Sequence, residues 1–414
     1  MSPSSPAIEA DAGPVVSERA RVLGLMALGL MLSMTTWFST AAVLAQLRDR
    51  WELSTNEASV LIIVLQIGFV AGALVSAVGG LADRMRLRHL VAVASLGAAA
   101  ANALVIVADG YAAAVVLRFL TGAFLAGVYP PALKLVATWF REGRGAAMGL
   151  MIAALTIGSA APHLVNGFGG VGWRTVMATT SLATVAGAAI VAVAGVEGPY
   201  PFPTTGFRLS EAASVVRERP VVLATAGYVG HMWELYAMWA WIGVFLVDVV
   251  DRAESGLNPS FLAFAAIAIG GIGSIAAGLW GDRVGKRRSA MLAMVSSGSA
   301  AAIVGWSALP LWLVVGIVMV WGATVVADSA QFSAIVSERA SQAYVGTALT
   351  LQLAVGFLLT VTTIWLVPMV RDAIGWWAAL AMLAPGPWLG ALALRALRPP
   401  PEPTTSPAVA PVVS

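Results

Sequence analysis

The chain has 414 residues, 59% of them hydrophobic and 11% charged, with a mean hydropathy of +0.85. A soluble domain carries about 25% charged residues, so charge here is too scarce to coat a soluble surface of this size. The net charge of +3 sits in short loops between apolar runs and gives no nucleic-acid signal, and the lack of cysteine excludes disulfides, thiolate metal sites and cysteine nucleophiles.

In chain order, residues 1–20 are rich in Pro, Ser, Ala and Val and carry Glu9, Asp11 and Glu18. They are expected to form a disordered cytoplasmic tail. The apolar run that follows is too long for a signal-peptide core, so no cleavable signal is expected. A membrane-crossing helix needs about 20 apolar residues. Six such spans follow, at 21–46, 58–82, 90–108, 111–137, 145–167 and 174–195. A polar segment, 196–219, precedes six more at 220–247, 259–281, 289–308, 310–336, 343–369 and 374–397. Residues 399–414 form a second tail expected to be disordered. In lipid each segment must satisfy its own backbone polar groups, so the spans read as helices and the protein as all-α.

A short charged signature occurs twice, 199 residues apart. The first copy is Gly79-Gly80-Leu81-Ala82-Asp83-Arg84-Met85-Arg86-Leu87-Arg88, and the second is Gly278-Leu279-Trp280-Gly281-Asp282-Arg283-Val284-Gly285-Lys286-Arg287-Arg288. With the same offset span 21–46 maps onto 220–247 and span 111–137 onto 310–336. The chain therefore reads as a duplication: an N-terminal six-helix bundle (21–195), a cytoplasmic linker (196–219) and a C-terminal six-helix bundle (220–398). Parallel six-helix repeats around a central site are one plan of secondary transporters. Within the linker, Gly206 to Pro220 reads either as a basic amphipathic helix on the inner leaflet or as a solvated connector. With the N-terminus in the cytoplasm, 18 of the 24 Lys and Arg residues fall on the cytoplasmic side and 5 on the outer side. That asymmetry predicts a multi-pass protein of the cell's inner (plasma) membrane with both termini inside.

The two loops resemble the signature G-x-L-a-D-r-x-G-r-r between helices 2 and 3 of the major facilitator superfamily. The second copy matches through Gly278, Asp282, Arg283, Gly285, Lys286 and Arg287, whereas in the first Arg86 replaces the second glycine. Arg118-Phe-Leu-Thr-Gly122 resembles the family's helix-4 motif, and Gly172-Trp173-Arg174 its start of helix 6. The resemblance covers residues 20 to 398. It implies a 12-helix fold of two pseudo-symmetric bundles in which helices 1, 4, 7 and 10 line a central cavity. It also implies that Asp83, Arg84, Asp282, Arg283 and Gly285 latch the cytoplasmic gate. A carboxylate at a helix N-terminus is favourable, and by pseudo-symmetry Asp83 is expected at the start of the helix at 343 and Asp282 at the start of the helix at 145.

Charges at mid-bilayer are expensive and mark a pathway or a pair. Arg118, Glu234 and Asp328 are such charges, on spans 4, 7 and 10. In span 7, helical spacing puts Tyr228, His231, Glu234, Met238 and Trp241 on one stripe. A carboxylate one turn from an imidazole can relay a proton, and aromatic neighbours can wall a ligand. The alternative is that His231 and Glu234 only bond each other as glue. In span 10, Trp321, Thr324, Asp328 and Gln331 share a stripe. Asp328 is expected either to exchange protons or to pair with Arg118; unpaired, Arg118 suits an anionic group. Trp233 reads as packing. His163 after Pro162 reads as structural, and Ala161 degrades the family's antiporter motif. Thr35, Thr36, Trp37, Ser39 and Thr40 either line the cavity or mediate helix packing.

No metal cluster or P-loop is visible, so no cofactor and no ATP are expected, nor any enzymatic activity. The expectation is a monomeric transporter embedded in the lipid bilayer, moving a small solute by alternating access coupled to protons, with no nucleic-acid partner. Uptake of a small organic or inorganic anion is preferred, and proton-driven export of a drug or metabolite is the alternative. A channel or sensor on the same scaffold is the rival from another class: a channel would conduct without saturation and without counterflow, and a sensor is expected to carry a signalling region for which these tails are too short.

Overall fold

In the computed structural model the described residues are 12–141, 143–169, 171–200, 211–215, 217–341 and 345–397. Among them helices alone form the regular structure. The N-terminal half contains α1 (Ala12–Ser33), α2 (Thr55–Gly79), α3 (Leu87–Leu104), α4 (Tyr111–Leu125, resumed at Tyr129–Ala137), α5 (Arg144–Gly167) and α6 (Trp173–Ala194). The C-terminal half contains α7 (Arg219–Arg252), α8 (Pro259–Val284), α9 (Lys286–Val304), α10 (Leu311–Val325, resumed at Ser329–Arg339), α11 (Val345–Ala373) and α12 (Trp376–Ala381, resumed at Pro385–Arg395).

Ten of these, α2 to α8 and α10 to α12, are long and apolar enough to cross a membrane. The other two, α1 and α9, pack into the same bundles. A Cβ on Gly29 of α1 would lie 2.6 Å from Val191 of α6, and one on Gly298 of α9 would lie 2.9 Å from Pro387 of α12. The expected total of twelve spans rests on these two. Many large apolar side chains face outward, among them Leu182, Val193, Ile272 and Leu392. In water that surface would be a liability; in lipid it is the solvated face. Exposed Trp306, Trp312 and Trp377 near helix ends suit the interfacial aromatic belt.

The duplication is visible in the packing. Gly68 of α2 lies against the Phe119 carbonyl of α4, and Gly322 of α10 against the Ala266 carbonyl of α8. In each case an added Cβ would sit about 2 Å from a backbone oxygen, so only glycine permits the approach. Both α4 and α10 break at related positions, after Leu125 and after Val325. At the α4 break the chain resumes with Tyr129-Pro130-Pro131, whose prolines supply no N–H to the preceding turn. The halves meet along two related seams, α5 with α8 and α2 with α11. The first is lined by Gly145, Gly149, Gly271 and Gly278 and closes at its far end through the Asn166–Ser260 and Asn258–Gly167 hydrogen bonds. The second includes the Phe69–Phe357 ring contact, 4.4 Å between centroids, and the Thr55–Asp372 hydrogen bond.

Three expectations change. The helix of span 1 starts at Ala12, inside the stretch 1–20 expected to be a disordered tail, while residues 1–11 lie outside the described residues. The same span is interrupted by a 3-10 turn at Met34–Thr36 and continues as Ser39–Ala42 and Leu44–Trp51. Side-chain oxygens cause the interruption: the Thr35 hydroxyl donates to the Leu32 carbonyl and the Ser39 hydroxyl to the Thr36 carbonyl, competing with the helical ladder. Of the amphipathic helix expected over 206–220, the described residues show one turn, Ala212–Val215, before α7 begins; 201–210 lie outside them, as do 399–414.

Candidate transport site

The ionisable residues of α7 and α10 come together inside the C-terminal half. His231 Nδ1 lies 2.8 Å from Asp328 Oδ1, and His231 Nε2 lies 2.9 Å from the Ser329 hydroxyl. Asp328 is placed there by the break in α10, at the N-cap of its second segment. Glu234, one turn from His231, accepts hydrogen bonds from the Ser297 hydroxyl of α9 at 2.8 Å and the Trp321 indole of α10 at 2.6 Å. All three ionisable side chains are at most 2% exposed. His231 and Glu234 thus have separate partners and do not bond each other as glue.

Tyr228 packs edge-on against Phe332 of α10, and its ring lies against Gly356 of α11. Trp241 donates its indole N–H to the Ile364 carbonyl of α11 at 2.9 Å. Gln331 reaches the Ala277 carbonyl of α8 at 3.4 Å. Most of the stripe read from the sequence therefore packs between helices of its own half, while Tyr228 also lies near Tyr129 of α4 in the N-terminal half. Trp233 bonds the Met382 carbonyl of α12, in keeping with a packing role.

Arg118 does not pair with Asp328. Its guanidinium stays within the N-terminal half, where Nη1 donates to the Thr36 carbonyl (3.1 Å), Ser39 Oγ (3.1 Å) and Asn102 Oδ1 (3.0 Å), and Nη2 donates to the Trp37 carbonyl (2.7 Å). The interruption of span 1 frees the two carbonyls, and Arg118 satisfies them. Asn102 of α3 is held in turn by Thr180 and Ser181 of α6. Every acceptor is neutral, so the charge is solvated by oriented dipoles without a carboxylate.

The contact between the halves is aromatic. Trp37 stacks near Phe69, Tyr236 and Phe357, and Phe38 near Tyr236 and Trp239. One turn beyond Trp239, Gly243 faces His163 of α5, where a Cβ would lie 3.0 Å from the imidazole. The face of α7 turned to the other half thus includes Tyr236, Trp239 and Gly243, with Tyr228 at its edge near Tyr129 of α4, whereas His231 and Glu234 have their partners in their own half. A signal for it existed, since Trp37 and Tyr236 stand 199 residues apart.

At the charged loops Asp282 lies on the first turn of α5; a Cβ on Gly145 would fall 2.4 Å from Asp282 Oδ1. This is the helix start expected for it. Asp83 instead pairs with Lys134 of its own half at 2.7 Å. Its expected target begins at residues 342–344, outside the described residues. Arg84 and Arg283 are exposed. Gly285 has φ +95° and ends α8, a conformation that favours glycine. The first loop manages with Arg86 (φ −60°) at the matching position because Gly80 takes φ +60° at the end of α2. The left-handed residue has moved six places towards the N-terminus.

Two seamed, pseudo-symmetric helical bundles with polar groups buried inside them define a multi-pass membrane transporter. The model of the Major Facilitator Superfamily matches residues 26–271, and the chain belongs to that family of secondary transporters, not to an enzyme class. No curated protein matches the sequence. Among solved structures, the crystal structure of a mutant of the nucleoside transporter NupG superposes with a TM-score of 0.69 over 91% of this chain and 99% of that one. At 12% identity the likeness is one of fold.

Proposed function

We propose that this chain is a proton-coupled uptake transporter of a small solute. It would work as a monomer in the inner (plasma) membrane, with both termini cytoplasmic and with bundles 21–195 and 220–398 rocking about the aromatic contact. The observation that carries the coupling is the 2.8 Å approach of His231 to Asp328, one turn from Glu234, with all three buried in lipid-embedded helices. Such groups are costly to bury unless they pair or carry charge during turnover. A proton can pass between imidazole and carboxylate at this distance without moving the backbone. The preference for an anionic solute drew on Arg118, whose four bonds to neutral acceptors leave it committed to helix packing. The cytoplasmic latch on this reading is Asp282 at the start of α5, with Asp83, Arg84, Arg283 and Gly285 shaping the two loops.

Proteoliposomes containing a trapped pH dye and an inward proton gradient test the reading against uridine, nicotinamide, benzoate and tetraphenylphosphonium. Solute-dependent proton entry, lost in Glu234→Gln or Asp328→Asn, is the expected result. Solute accumulation without proton movement removes the coupling. Solute extrusion as protons enter assigns the alternative, export of a drug or metabolite.

A further inference from the structure

At the contact between the halves, five buried polar side chains carry hydrogen-bonding atoms with no partner: the Trp37 and Trp239 indole nitrogens, both amide atoms of Gln66, the Ser159 hydroxyl and Nε2 of His163. Each residue is at most 2% exposed. They come from both halves and surround the aromatic contact. Trp37 and Trp239 belong to it, Gln66 lies one turn from Phe69 on α2, and Ser159 and His163 are one turn apart on α5, where His163 meets Gly243 of α7. Away from the contact, Nη1 and Nη2 of Arg118 have four acceptors and both Glu234 oxygens have donors, while the other unpartnered atoms, among them Thr36 Oγ1, Arg118 Nε and Gln352 Nε2, are single atoms on separate helices. Buried polar atoms in native proteins are nearly all satisfied, and leaving one unmade is costly. A permanent interface would not retain five such residues, whereas a surface that parts to receive a solute gains their hydrogen bonds when it does.

We propose that this contact is the solute site, and that its solute is an uncharged, planar heteroaromatic molecule with both hydrogen-bond donors and acceptors. Four properties of the surface select that class. The rings of Trp37, Phe69, Tyr236, Trp239 and Phe357 offer stacking faces. The two indoles supply donors only, and Gln66 supplies a donor and an acceptor, the edge pattern of an amide or a nitrogen heterocycle. None of the side chains named at the contact carries a formal carboxylate, guanidinium or ammonium charge, so an ionic solute would meet no counter-charge on desolvation. A purely apolar molecule would leave the same atoms unpaired, and a site built for hydrogen bonds rejects such an analogue strongly.

The inference rests on alternating access by the two halves, and binding separates it from that reading. Purified full-length protein in nanodiscs is titrated with uridine, nicotinamide, benzoate and tetraphenylphosphonium, following tryptophan fluorescence and thermal shift. Uridine or nicotinamide is expected to bind, and Trp239→Phe and Gln66→Leu are each expected to weaken that binding about tenfold, the worth of one hydrogen bond. Both variants keep a side chain of similar shape, and circular dichroism checks that the helices remain. Binding of benzoate or tetraphenylphosphonium alone overturns the proposal. So does failure of both neutral probes to bind at millimolar concentration, or binding that neither substitution alters. Binding of the expected kind without counterflow in proteoliposomes leaves the site in place and removes the transport reading.

Discussion

Trp37 and Tyr236 stand 199 residues apart in the sequence and 5.7 Å apart between ring centroids. The same interval separates the two charged loops, so each ring is the other's image in the duplication. Two symmetry-related groups in contact straddle the axis that relates them, and the pseudo-twofold axis therefore runs between these rings. Aromatic contacts of this geometry are worth about 0.5–1.5 kcal/mol beyond their area. Trp37→Ala and Tyr236→Ala are each expected to lower the melting temperature of the detergent-purified protein. The double variant should fall short of the sum, with a coupling near 1 kcal/mol. Strict additivity would mean that the rings do not hold the halves together.

Arg118 is expected to matter for folding before it matters for solute. Arg118→Ala leaves the Thr36 and Trp37 carbonyls, Ser39 and Asn102 without their common donor. Charged hydrogen bonds contribute about 1.5–3 kcal/mol each, and loss of several should abolish stable purification. Arg118→Lys keeps the charge but not the planar fork and should recover only part. The check is monodispersity and thermal melting with no solute present. A stable Arg118→Ala protein that has only lost anion binding would reverse this assignment.

The His231–Asp328 pair should show the asymmetry of buried ions. Removing one partner strands the other and costs about 3–5 kcal/mol, whereas replacing both with apolar groups is much cheaper. His231→Phe is therefore expected to destabilise strongly, and the double variant His231→Phe with Asp328→Leu to melt nearer the parent. Proton flux should be lost in both. Retention of coupled flux in the double variant would exclude the pair from proton movement.

The Asp282 contact can be probed from the other side of the seam. A side chain at position 145 collides with the Asp282 carboxylate, so Gly145→Val should push the loop off the start of α5. The chain has no native cysteine, and Ser274→Cys places a single thiol at the buried α5–α8 seam. Maleimide labelling of that thiol is expected to quicken about tenfold in the Gly145→Val background, corresponding to about 1.4 kcal/mol of seam opening. An unchanged labelling rate would show that the loop does not latch the seam.

The membrane class, the duplication and the helices that carry charge were all legible along the chain. Apolar run length, loop charge and a repeated motif are local sums that survive any arrangement of the helices. The partners of those charges were not legible. Periodicity places His231 and Glu234 on one face of α7 but does not say which neighbour covers that face. Rotation of the helix is settled by close packing, here by Gly356 against Tyr228 and Gly243 against His163. The fate of Arg118 turned on the interruption of span 1 at Met34–Thr36, where backbone carbonyls left the helical ladder and became its acceptors. A hydropathy pattern does not register an interruption whose residues are still apolar or small. The sequence by itself determined that a few ionisable groups would be buried in a duplicated helical bundle. Only the tertiary structure decided that Arg118, Glu234 and the His231–Asp328 pair would find their partners within their own halves, leaving aromatic rings and unpaired polar atoms where the halves meet, because partner choice depends on helix rotation and on backbone breaks that distant residues stabilise.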